Sequence, residues 1–357
     1  IFALVFVGAC GAREGGGLQG GIGVTSVAVS STGPTGGSSS TGGMEGSTGS
    51  GVVESSSGGT AVRLDVGDGS DAGTGQPGGC KGKIDFLFVI SRAPQMGEPY
   101  KSYGTMYERL VASAPEFLAT IESKFAEFDV HVLVTKGDNL WGSADCDEEC
   151  PGPFTEWCPT GEDYPCEMVG KVPACDLTWG AGVVFNAGSL ALNKPCGLPE
   201  GQRYISSEQA NFGEAFACVL QVGASGSYLV PQALAAAVSP KVAGPGGCNE
   251  GFLREDALLV VTLMTNMIYD VDSKGTPEEW AQAVLDAKGG DASAVVMHYI
   301  GPPGIEWCEA QKNNRVCDLV ASFPHRLVTY AFEPTFGPAF DAAADVVVEA
   351  CAGFIPQ

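Results

Sequence analysis

The chain has 357 residues, with 19 basic against 42 acidic side chains, a net charge of −23 and 13 cysteines. No basic cluster is present to neutralise phosphates, which argues against nucleic acid as a partner. The acidic excess favours solubility and discourages close approach to anionic lipid.

Residues 1–9 (IFALVFVGA) are apolar and end in small residues, the pattern of the back half of a secretory signal peptide. The run is shorter than the ~20 apolar residues a membrane span needs. Val7, Gly8 and Ala9 precede Cys10 as a lipobox does, so Cys10 is the expected lipid attachment site and the membrane the partner of its acyl chains. Removing Cys10 from the count leaves twelve cysteines, enough for six disulfides in an oxidising compartment. Cys146, Cys150, Cys158, Cys166, Cys175 and Cys196 cluster, whereas Cys80, Cys218, Cys248, Cys308, Cys317 and Cys351 are spread. The even number in each group predicts closure within each group and leaves connectivity open.

Between Cys10 and residue 79 the chain is dominated by Gly, Ser and Thr, with no helix or strand period. Such a segment cannot bury enough surface to offset its ordering entropy, so a lipid-anchored tether is expected. As a flexible coil, residues 11–79 would reach roughly 45 Å. Residues 80–357 hold the expected folded domain.

The first element there is Ile84–Ile90 (IDFLFVI), a nearly continuous apolar run that predicts a strand buried on both faces. Residues 98–126 have helical periodicity interrupted by Pro115, consistent with one helix or two. Phe128–Thr135 is the next strand. Residues 138–200, rich in Cys, Pro and Gly, read as a disulfide-stapled insertion outside the core. Helical signals follow in Ser207–Val222 and Val230–Val238, then a strand at Ala257–Met264. Thr276, Pro277 and Glu279 carry a capping box with proline at the first helical position, and Gly289-Gly290 ends that helix near Lys288. A strand at Ala294–Ile300, a helix at Asn313–Phe323, a strand at Arg326–Phe332 and a helix at Phe336–Ala350 complete the pattern. Strands alternating with helices predict an α/β fold with a mostly parallel central sheet and helices on both faces.

Several separated blocks carry a resemblance: Cys80–Ile90 (CKGKIDFLFVI), Gly180–Phe185 (GAGVVF), Phe216–Gly223 (FACVLQVG) and Asn249–Val261 (NEGFLREDALLVV). Together they resemble the von Willebrand factor type A-like lipoproteins of myxobacteria, over essentially residues 80–357. The resemblance implies a Rossmann-like type A domain with a Cys-rich insertion, a lipid anchor and a Gly/Ser tether. It also implies neighbouring domain ends, and hence a Cys80–Cys351 bond. Gly11 stands where an Asp marks inner-membrane retention in similar lipoproteins, which implies an outer-membrane location in the cell envelope.

Type A domains often hold Mg²⁺ through Asp-x-Ser-x-Ser after the first strand, a Thr from a later loop and an Asp after the fourth strand. The matching positions here are Ser91, Ala93, Gln95, Ala224 and Asn266, so both carboxylates are absent. Arg92 adds a positive charge beside them. Mg²⁺ requires a near-octahedral oxygen shell and is commonly held by one or two carboxylates. The expected domain therefore has no metal or other cofactor, and its ligand face is Ser91, Gln95, Ser225 and Asn266.

Asp270, Asp272 and Lys274 resemble the opening of an EF-hand loop, but Lys274 takes an oxygen-ligand position and Ala281 the twelfth, so an acidic surface turn is expected. His131, His298 and His325 lie on or beside predicted strands, in no nucleophile motif, and core or strand-edge roles are expected. The leading expectation is a non-enzymatic envelope protein that binds a protein or surface polymer. The alternatives are metal-dependent adhesion through a site rebuilt from Asp270 and Asp272, and a hydrolase whose centre is assembled from distant segments.

Overall fold

A computed structural model describes residues 80, 82–154, 158–159, 162–267, 269–302, 308, 310 and 314–353. The expected signal segment, Cys10 and the tether lie outside the described residues.

Six strands form one sheet: β1 (Lys83–Ile90), β2 (Asp129–Lys136), β3 (Ile205–Ser206), β4 (Leu258–Met264), β5 (Val295–Gly301) and β6 (His325–Tyr330), in the order β3-β2-β1-β4-β5-β6. All neighbouring pairs are parallel except β2 with the two-residue β3. The α/β class and the mostly parallel sheet agree with the sequence pattern.

The continuous apolar strands divide their side chains between two cores, because successive residues point to opposite faces. Ile84, Phe86, Phe88 and Ile90 enter one core, and Leu87 and Val89 the other. On β4, Leu258, Val260 and Met264 join the first, and Leu259, Val261 and Leu263 the second. The first face is covered by α1 (Met106–Ala112), α2 (Ala114–Lys124), α4 (Phe212–Val219) and the C-terminal α9 (Gly337–Gly353). Phe117 packs edge-on against Phe86, Phe88 and Phe340, and lies against Phe216. The second face is covered by α5 (Val230–Ala237), α7 (Pro277–Asp286) and α8 (Arg315–Ala321), with the single turn α6 (Pro240–Ala243) following α5. Residues 98–126 form two helices, and Pro115 sits at the start of the second, where its missing N–H costs no helical bond. Thr276 and Glu279 form the expected capping box on α7.

Asp85 is a polar member of the second face. Its carboxylate accepts from the Arg254 backbone N–H and Nε, each at 2.8 Å. Burial nevertheless outweighs the Arg254 guanidinium and raises this carboxyl to about 6.

Six disulfides are present among the described residues: Cys80–Cys351, Cys146–Cys158, Cys150–Cys166, Cys175–Cys248, Cys196–Cys218 and Cys308–Cys317. The first joins the two ends of the described domain. Closure within each cysteine group holds for four bonds and fails for two. Cys175 and Cys196, in the clustered stretch, instead pair with Cys248 and Cys218.

The reason is that the later half of the 138–200 stretch belongs to the main fold. Val183 donates its N–H to the Val134 carbonyl at 2.7 Å, and Val183 and Cys196 are buried in the first core. At Gly180, with φ of 76°, the chain runs so close to α5 that a side chain there would strike the Ala236 and Ala237 backbone. The earlier half has a separate small core, in which Trp141, Tyr164 and Ala187 pack around α3 (Ala144–Glu149) and its disulfides.

Candidate ligand face at the strand carboxyl ends

The chain leaves β1 into a tightly bonded loop. Ser91 donates its N–H to the Met264 carbonyl at 2.9 Å, extending the β1–β4 ladder by one residue. Its Oγ turns back to accept from the Ala93 N–H at 3.1 Å. Ala93 and Met96 are buried in the first core, whereas Pro94 and Gln95 are exposed. This loop therefore presents Gln95, with the Ser91 hydroxyl held inward.

The loop joining α4 to α5 lies directly against it. Arg92 N–H donates to the Ser227 carbonyl and Gly226 N–H to the Arg92 carbonyl, both at 2.8 Å. The buried Tyr107 hydroxyl contacts the Ser91 and Gly223 carbonyls, one from each loop. Burial pushes its ionisation far above the usual tyrosine range, so it stays protonated and can donate. Ala224 donates its N–H to the Ser189 carbonyl at 2.8 Å, and Ser225 Oγ accepts from the Ser189 N–H at 2.9 Å. Ser225 is thus engaged with the 188–193 segment.

After β4, Thr265 Oγ1 accepts from the Met267 N–H at 3.1 Å. The Asn266 amide oxygen is buried without a hydrogen-bond partner. Ser91, Gln95, Ala224, Ser225 and Asn266 all belong to loops at this one end of the sheet.

Arg92 differs from the expectation of a charge facing the ligand positions. Its side chain is fully buried and runs toward the insertion. Nη1 meets Asp138 Oδ1 at 3.1 Å and the Leu140 carbonyl at 2.8 Å, while Nη2 donates to the Gly142 and Ala187 carbonyls at 3.3 Å. Asp138 also accepts from the Leu140 and Ser227 N–H groups. The carboxylate neutralises the guanidinium, and a side chain at Gly226 would collide with it. Arg92 is therefore the brace that fixes three loops.

Lys136, at the end of β2, is a second buried cation in this layer. Its Nζ donates to the Leu140 carbonyl, to the Asp176 carbonyl at 3.2 Å and to Asn186 Oδ1 at 3.0 Å. Burial, aided by Arg92, pulls its amine down to about 7, while Asp138 and Asp176 act in the opposite direction. Arg203 pairs with Asp176 in the same layer.

The acidic turn after β4 is ordered by protein groups. Both Asp270 oxygens accept from Ser273, at 2.9 Å from its N–H and 2.6 Å from its hydroxyl. Asp272 accepts from the Tyr228 hydroxyl. The carbonyls of Asp270, Ser273 and Gly275 accept from the Arg315 guanidinium, which lies 4.5 Å from the Trp280 ring centroid. A cation in this turn would compete with Arg315 for the same carbonyls. Among the described residues no group of three or more His, Cys, Asp or Glu is arranged to hold a metal ion.

His131 is placed on β2 beside the Phe252 carbonyl at 3.1 Å and packs on Tyr204. His298 is wholly buried on β5, with Nε2 3.0 Å from Thr329 Oγ1, and burial alone lowers its ionisation to about 3. Its ring is neutral across the physiological range.

Sequence reasoning located the three loops but missed Tyr107, Asp138 and Lys136 as the groups that hold them. The available signal was a charged residue within two positions of the end of an apolar strand, at Arg92 and again at Lys136 and Asp138. No protein-family model matches this sequence, and no characterised protein matches it in a search of curated proteins.

Proposed function

We propose that this chain is an exported lipoprotein whose type A-like domain binds a macromolecular partner, a protein or a surface polymer, through the loop face that Gln95, Ser225 and Asn266 present and the inward-held Ser91 shapes. The domain does so without catalysing a reaction and without a bound metal. The observation that carries this reading is the reversal of strand order between β1 and β4. In open α/β sheets the crevice outside the carboxyl ends at such a point is where ligands bind. Three loops converge there, and the Asn266 amide oxygen is left with an unused acceptor. The doubly wound order and the Cys80–Cys351 bond between the domain ends support the type A assignment. The link from fold to binding is analogy, so the loop residues must carry the test.

Cross-linking capture from cell-envelope extracts, with the full chain as bait, should recover a partner that Gln95→Arg and Asn266→Arg both lose. Undiminished capture by both variants would remove the loop face from the proposal. Titration calorimetry with Mg²⁺, Mn²⁺ and Ca²⁺ tests the metal-free part. Micromolar binding abolished by Asn266→Ala would favour the metal-dependent alternative. The anchor, with its outer-membrane location, is tested by metabolic labelling with a palmitate analogue, which Cys10→Ala should abolish.

A further inference from the structure

The small core of the insertion encloses more than it fills. A cavity of about 300 Å³ lies among Leu140, Trp141, Val169, Val172 and Leu177, with Asp147 as the charged group in its wall. That is the lower end of the volumes small ligand sites have, and its lining of apolar and aromatic groups with a few polar ones is theirs as well. Two of the lining leucines, Leu140 and Leu177, are 47% and 48% exposed. They extend an apolar surface outward from the cavity.

The wall has two polar features, of which the charged one sets the chemistry of an occupant. Trp141 is 98% buried, its relative exposure being 2%, and its indole N–H has no hydrogen-bond partner. That nitrogen is shielded from a water-sized probe, so Trp141 serves the cavity as apolar lining and its N–H reports on a change nearby. Asp147 accepts from the Tyr164 hydroxyl and pairs with no Lys, Arg or His among the described residues. Around it the sequence is mostly acidic: residues 137–172 contain nine acidic residues and one basic residue, the exposed Lys171 between the lining Gly170 and Val172. Asp145, Glu148 and Glu149 are exposed beside Asp147. A net negative field over a concave site favours ligands of the opposite sign.

From these features we infer that the cavity is a docking site for a basic peptide segment of a partner protein. An apolar side chain fills the cavity, and flanking Lys or Arg meets Asp147 and the acidic rim. A peptide fits better than a compact small molecule because the exposed Leu140 and Leu177 continue the apolar surface beyond the volume one group occupies. The wall is preorganised. Disulfides Cys146–Cys158 and Cys150–Cys166 staple it, and the Leu140 and Gly142 carbonyls are held by Arg92. This site lies in the insertion and does not depend on the loop-face reading.

The test uses the full chain and blocked pentapeptides Ac-Gly-Lys-X-Lys-Gly-amide, with X as Ala, Val, Leu, Met or Phe, titrated calorimetrically at low salt. The best apolar X should bind at one-to-one stoichiometry, at least tenfold tighter than X as Ala, and the matching Glu-X-Glu series should not bind. Asp147→Asn and Leu177→Gln should each weaken the best peptide at least fivefold. The Trp141 indole N–H resonance, identified by its loss in Trp141→Phe, should shift on binding. Leu177 is half-exposed, so its variant keeps the test valid if Asp147→Asn misfolds. No saturable binding by any Lys-X-Lys peptide overturns the inference, as does affinity independent of X, which would be charge attraction alone. Hexylamine binding as tightly as the best peptide would likewise overturn it in favour of a cationic small molecule.

Discussion

Replacing Arg92 by methionine tests whether the loop face is held by one buried side chain. Methionine keeps most of the aliphatic path but removes every donor. Asp138 then loses its guanidinium at 3.1 Å while remaining buried, and the Leu140, Gly142 and Ala187 carbonyls lose theirs. Removing one partner of a buried pair costs ~3–5 kcal/mol. Asp138 keeps the Leu140 and Ser227 N–H groups, which holds its share toward the lower end. With the unpaired carbonyls added, the expected loss is about 4 kcal/mol. For a domain of this size, that lowers the melting temperature by roughly 8–16 °C. Differential scanning calorimetry with the disulfides intact is the assay. Adding Asp138→Asn, which retains the acceptor but not the charge, should restore about 2 kcal/mol, since contacting residues couple by that order. A single-variant loss under about 1 kcal/mol, or strict additivity in the double variant, would refute the brace.

Cys80→Ser with Cys351→Ser opens a bond spanning 271 positions of sequence, and the chain-entropy argument puts the loss at about 5 kcal/mol in urea unfolding. Thr276→Ala removes the cap that accepts from the Glu279 N–H, costing ~1 kcal/mol with no change in the near-ultraviolet spectrum. Lys136 binds its proton less tightly when folded, at about 7 against 10.5. Between those values the unfolded chain holds more protons, so this group makes stability rise with pH, by at most ~1.4 kcal/mol per unit. Urea unfolding at pH 7, 8 and 9 should show a rise that Lys136→Met flattens. An unchanged slope in that variant would exclude Lys136 as its source.

The fold class was legible because each strand buried on both faces leaves an uninterrupted apolar run, as in Ile84–Ile90 and Ala257–Met264. The helix starting at Thr276 was legible because a capping box is a local pattern, satisfied within four residues. That twelve cysteines would form six disulfides could also be expected from the sequence. Their pairing could not, because Cys175–Cys248 and Cys196–Cys218 depend on where residues 175–196 cross the sheet. The candidate face shows the same division. The resemblance drawn from the sequence pointed to Ser91, Gln95, Ser225 and Asn266 as loop residues, but the direction of a side chain is set by what surrounds it. Arg92 follows the same strand as Ser91 and looked equally free to face a ligand. Only the tertiary structure turns it inward, because Asp138 and three carbonyls from distant segments meet there and satisfy a charge that could not otherwise be buried.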